Sequence, residues 1–122
     1  MSKQSFDELR DEYLNCTKII SQIDYGDKSS VKKCNRAVDK MINISKCINE
    51  EYPSKIYEFA ELMTRNDLRI DAWVAHHILE NMDYPSELET KALEVIIKYS
   101  KEDSVEGLGE RIWLEQWNKR NR

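Results

Sequence analysis

Glycine and proline are scarce in this chain of 122 residues, at three and two. So few turn-makers suit a soluble helical protein, and a hydrophobic content of 40% argues against disorder. Strands fare badly as an alternative. No period-two alternation outscores the helical template, and neither Asn-Gly nor Gly-Asn occurs to turn a hairpin. Long apolar runs are missing as well: Val95-Ile96-Ile97 is typical of the longest, against roughly 20 residues needed to cross a bilayer. The first residues show no basic stretch followed by an apolar core, so no signal peptide is expected. Cysteine is sparse and odd in number. Cys16, Cys34 and Cys47 form no Cys-x-x-Cys pair, and the expectation is reduced thiols packed as small hydrophobes in a cytoplasmic protein. Cys34 and Cys47 lie about 20 Å apart along one expected helix, too far to bridge to each other. Gly-rich phosphate loops, nucleophile elbows and dinucleotide fingerprints are also absent, so no cofactor and no catalysis are expected.

What is present is charge, unevenly placed. The net charge is −4. Between Lys28 and Lys46 six basic residues face a single acid, Asp39, whereas from Glu50 to Glu115 sixteen acids outnumber seven bases. A basic hairpin therefore precedes an acidic body. An acidic body repels nucleic-acid phosphate and favours a cationic protein partner, because complementary potentials speed encounter and select partners. Lys28, Lys32, Lys33, Arg36 and Lys40 approximate one helical face; with a pI near 5.3, this face is expected to dock on acidic neighbours within the fold rather than on nucleic acid.

A mass of 14.5 kDa fits one domain, 1–122, burying roughly two-thirds of the surface its unfolded form exposes. Six helices are expected. Phe6, Leu9, Tyr13, Cys16, Ile20 and Ile23 predict a helix over 5–25, with a Ser5–Glu8 capping box and Gly26 as a left-handed stop. A second helix, 29–50, completes a long N-terminal pair. Pro53 opens a third, running to about residue 65; Asn66 or Asp67 caps a fourth that reaches Met82 and is apolar on more than one side. Pro85 opens a fifth. Asp103 or Ser104 caps the sixth, whose stripe is Val105, Leu108, Ile112, Trp113 and Trp117, with Gly107 and Gly109 allowing close approach.

Tyr-Pro-Ser occurs at 52–54 and again at 84–86, 32 residues later, near the period of helix-pair repeats. Superposing the two units pairs Ile56 with Leu88 and Ala60 with Ala92. A slightly longer offset then matches Ile78, Leu79 and Met82 with Trp113, Leu114 and Trp117. The expected architecture is all-α: antiparallel helix pairs in a short right-handed superhelical array, with 5–50 as a long first pair and 52–117 as two further pairs.

His76 and His77 are adjacent, which on a helix points them about 100° apart, so they do not chelate one ion together. Glu80 lies within helical reach of both, but no His-Glu-x-x-His pattern accompanies it, and no metal site is expected. Both rings are read as packed or hydrogen-bonded between helices. Trp113 and Trp117, four apart, are read as closing the end of the core.

The run Ile70-Asp71-Ala72-Trp73-Val74-Ala75-His76-His77-Ile78-Leu79 resembles the second helix of a HEAT-like repeat, with Asp71 where that pattern carries Arg. With Asn35-Arg36 and the closing Gly107-x-Gly109-x-x-x-Trp113-Leu114-x-x-Trp117, the stretch from Ser29 to Trp117 resembles a small bacterial family of unknown function built from HEAT-like helices. Small acidic all-helical proteins of this kind also resemble immunity proteins, which neutralise a toxin, often a nuclease, delivered by a neighbouring cell. That resemblance implies a cytoplasmic, monomeric binder of a basic toxin domain, with neither nucleic acid nor membrane as partner. Glu58, Glu61, Asp67, Asp71, Glu80 and Asp83, on the two central expected helices, are the partner-binding candidates. The alternative is a HEAT-like adaptor or scaffold for a housekeeping protein. An enzyme stands third, and would show a deep polar pocket around His76 or His77.

Overall fold

A computed structural model describes residues 4–120, which form an all-helical fold. The helices are α1 (Phe6–Ser21), α2 (Lys28–Glu51), α3 (Ile56–Ala60), α4 (Ile70–Asn81), α5 (Ser86–Ser100) and α6 (Val105–Arg120). None of them is long and apolar enough to cross a membrane.

The Ser5–Glu8 box forms in both directions, so two orphan N–H groups at the start of α1 are satisfied. The end of α1 departs from expectation. The helix stops at Ser21, and Gly26 does not adopt a left-handed conformation. Asp24 explains why: its carboxylate takes the Gly26 N–H at 2.9 Å in a local turn, while its own N–H goes to Ser30 Oγ. Asp27 then caps α2 through the Ser29 N–H. Residues 53–64 are also not one regular helix. Pro53 begins a 3₁₀ turn, α3 contributes five residues, and Glu61–Thr64 is 3₁₀ again.

Neither Asn66 nor Asp67 caps α4. Leu68 and Arg69 instead take positive φ values of 54° and 56°, a conformation that L-residues rarely adopt, and α4 begins immediately after them. The first turn of α4 is closed by two local bonds. The Asp71 N–H donates to the Arg65 carbonyl, and the Asp71 carboxylate accepts the Ala72 N–H.

α4 sits at the centre, as its two-sided pattern implies. Ile70, Val74 and Ile78 join a cluster with Tyr13, Met41, Ile48 and Phe59 from α1, α2 and α3. Its other side, through Ala75 and Leu79, joins Ala92, Ile96 and Trp117 of α5 and α6. Burying each such aliphatic or aromatic chain contributes roughly 1.5–3 kcal/mol. Ile56 and Leu88 are both buried, as are Ala60 and Ala92, so the superposed positions do face the interior.

α6 differs most from its expected packing. Trp117 is buried and stacks on Trp113 with centroids 5.3 Å apart, but Val105, Leu108 and Ile112 are 83%, 50% and 48% exposed. The inward side of α6 begins with Gly107, which lies against the carbonyl of Glu102, and is rotated away from the aliphatic stripe. Gly109 faces open space. The basic face of α2 also fails to dock on acidic neighbours. Among the described residues only Lys40 makes an ion pair there, with Glu12 at 3.3 Å, and Lys28, Lys32, Lys33 and Arg36 are exposed.

Candidate functional site

Five of the six carboxylates singled out for partner binding are on the surface. Glu58 pairs with Lys55 at 3.0 Å and Asp67 with Arg65 at 2.7 Å, so both are partly neutralised by near neighbours. Glu80 accepts the Trp113 indole N–H at 2.7 Å, and Asp83 accepts the side-chain amide of Asn49. Glu61 is exposed on the 3₁₀ turn after α3.

Asp71 is the exception: it is 1% exposed. Its carboxylate receives the Tyr99 hydroxyl at 2.7 Å and Lys98 Nζ at 2.8 Å, both from α5. Burial first, and then the hydrogen bond to Asp71, hold the Tyr99 hydroxyl well above its ordinary pKa, so it stays a donor. Asp71 therefore joins α4 to α5.

The two histidines part company. His76 Nε2 meets both oxygens of Glu110 at 2.9 and 2.8 Å, and its ring packs edge-on to Trp113. This ties α4 to α6. His77 is 3% exposed and shares a 2.6 Å hydrogen bond with the Tyr13 hydroxyl through Nδ1. Burial first, and then the neighbouring His76, lower its pKa from 6.5 to about 4. The unfolded chain therefore takes up a proton before the folded one. The stability that the neutral His77 ring contributes is full above about pH 6.5 and should fall as pH drops toward 4, by an amount on the order of 3 kcal/mol. Urea melts at pH 7 and pH 4.5 check this: His77→Gln should flatten the difference, and an unchanged pH slope in the variant would contradict it. No group of three His, Cys, Asp or Glu among the described residues is placed to hold a metal ion.

Two hollows indent the surface where these residues lie. The first, about 440 Å³, runs between the α3 segment and α5. Ala60, Met63, Leu88 and Val95 give it apolar walls, and Glu61, Glu94 and Lys91 stand at its rim. Among the described residues neither Glu61 nor Glu94 has an ion-pair partner, whereas Tyr57 donates its hydroxyl to Glu87 across the same two elements. The second, about 410 Å³, is lined by Ile20, Ile23, Tyr25, Leu68, Trp73 and Glu106, among others, so the α1–α2 turn meets the start of α6 there.

Sequence reasoning missed Tyr99 and Lys98 as the partners of Asp71, and Glu110 as the partner of His76, because those pairs lie 27 to 34 residues apart. It also missed the left-handed pair at Leu68 and Arg69. The preceding Asn66-Asp67, which are turn formers, were the available signal.

Comparison of the chain with known protein families, with curated proteins and with solved structures finds no match.

Proposed function

We propose that this chain is a protein-binding module whose acidic surface captures a cationic protein. In the reading we favour it is a cytoplasmic immunity protein that covers the phosphate-holding groove of a basic toxin domain, most simply a nuclease. One observation carries the proposal. Of the sixteen carboxylates between Glu50 and Glu115 only Asp71 is buried, so nearly all of the charge excess in this half is presented to solvent. Such a surface competes with nucleic-acid phosphate for the same basic side chains and needs no chemistry of its own. The groove between the α3 segment and α5 supplies the second ingredient of a recognition surface. Its apolar floor can desolvate the stem of a lysine or arginine while Glu61 and Glu94 meet the charged head.

The HEAT-like arrangement belongs to the same proposal. Matching buried positions at Ile56 and Leu88, and at Ala60 and Ala92, support two related helix pairs stacked side by side, with the longer α1–α2 pair as the terminal cap.

The test is affinity for the protein encoded beside this gene, measured by calorimetry on the full chain. Glu61→Lys combined with Glu94→Lys should weaken binding at least about tenfold, and raising salt from about 0.05 to about 0.5 M should weaken the wild-type complex similarly. Both residues are exposed and have no ion-pair partner among the described residues, so the double variant should keep its thermal stability. Salt-independent binding, or full affinity in the variant, would contradict the proposal.

A further inference from the structure

We infer that the Trp73 hollow is a second docking site, and that it takes a protein segment carrying an aliphatic side chain next to a lysine or arginine. It deepens the protein-binding reading and rests on it.

Three independent features meet there. The hollow is largely apolar: Ile20, Ile23, Tyr25, Leu68 and Trp73 line it with Thr17 and Ser21, and a smaller hollow of about 270 Å³ adjoins it, sharing Arg69, Trp73 and Glu106 as walls. Apolar residues are also left unusually exposed beside it. Tyr25 is 83% exposed and Leu68 39%. Isolated exposed apolar residues need no explanation, but these two line the same concavity. Finally, Leu68 and Arg69 hold the wall in left-handed backbone, which costs each of them conformational energy. Glycine would remove that cost at Leu68, yet a large apolar side chain stands there and remains partly in water.

Charge decides what covers this surface. Of the three ionised groups lining the two hollows, Arg69 is engaged by Glu102 at 3.1 Å and by the Tyr99 ring at 4.3 Å, and Glu110 is engaged by His76. Glu106 alone has no partner among the described residues. The open electrostatic position is therefore negative and sits at the lip of an apolar cavity. An occupant with an aliphatic anchor for the Trp73 floor and a cation for Glu106 satisfies both. An acidic occupant would leave Glu106 facing a like charge, and a second copy of this chain exposes bases on α2, but none of the exposed large apolar side chains lies on that helix, so it brings the cation without the aliphatic anchor.

The experiment uses ¹⁵N-labelled full-length chain titrated with an amphipathic peptide of alternating lysine and leucine blocks, and separately with its glutamate and leucine counterpart. The lysine peptide should shift the Trp73 indole signal and the amides of residues 23–25, 68–69 and 105–110, and the glutamate peptide should leave them in place. Glu106→Lys and Tyr25→Ser should each weaken the lysine peptide at least about fivefold. Leu68→Gly should keep or raise stability while weakening binding, which separates a docking role from a folding one. Shifts confined to the α3–α5 groove would overturn this site while leaving the acidic-surface proposal standing. Equal binding of both peptides, or no shift at all, would also overturn it.

Discussion

Replacing Asp71 with alanine should destabilise the protein by about 3 kcal/mol, more than any other single removal of charge. The loss has two parts. The buried Tyr99 hydroxyl, bonded to the carboxylate at 2.7 Å, would lose its acceptor, and so would the Ala72 N–H in the first turn of α4. Lys98 contributes less, because its side chain is 57% exposed and water can solvate the freed ammonium. Asp71→Asn keeps the volume and one acceptor and should cost roughly 1–2 kcal/mol. Tyr99→Phe should cost about 1 kcal/mol, and a double variant with Asp71→Ala should cost less than the sum, since the hydroxyl would no longer be stranded. Urea unfolding followed by far-ultraviolet circular dichroism measures all four. An alanine variant within about 0.5 kcal/mol of wild type would mean that the carboxylate does not tie α4 to α5.

The two glycines of α6 should respond in opposite directions to the same substitution. A Cβ on Gly107 would lie 2.0 Å from the carbonyl oxygen of Glu102. Backbone cannot rotate away as a side chain can, so Gly107→Ala must push the start of α6 off the 100–104 turn. That turn is also held by Ser104 Oγ, which accepts the Gly107 N–H at 3.0 Å, and by Arg111, which donates to the Ser100 and Glu102 carbonyls. The expected cost is about 2–3 kcal/mol, with a changed fluorescence spectrum from the stacked Trp113 and Trp117. At Gly109 nothing lies within 4 Å of the added atom, so Gly109→Ala should stabilise by up to about 1 kcal/mol through helix propensity alone. Thermal melts of the two variants give the comparison, and equal effects would contradict the placement of α6.

These contrasts mark what local pattern can and cannot reveal. The all-helical class, the Ser5–Glu8 box and the two-sided burial of α4 were legible because each follows from spacing within one element, whereas the broken third helix was not. The facing of α6 was not. Its apolar residues Val105, Leu108 and Ile112 obey helical spacing as well as Trp113 and Trp117 do, and the close approach at Gly107 and the bonds from Glu110 and Trp113 to α4, none of them local, fix which side turns inward. Asp71 shows the same limit for the candidate site. An acid on a helix start reads as a solvated partner-binding group until Tyr99 and Lys98 arrive from another helix. The Trp73 hollow was invisible for a related reason, since it is assembled from the α1–α2 turn, the left-handed pair at 68–69 and the start of α6.

If the acidic surface neutralises a toxin, the chain should protect living cells. The domain encoded beside this gene is expressed alone, with the wild-type chain, and with the chain carrying Glu61→Lys and Glu94→Lys. The domain alone should arrest growth, the wild-type chain should restore it, and the charge-reversed chain, though folded, should not. A neighbouring domain that is harmless, or an arrest that the wild-type chain fails to relieve, would contradict that role.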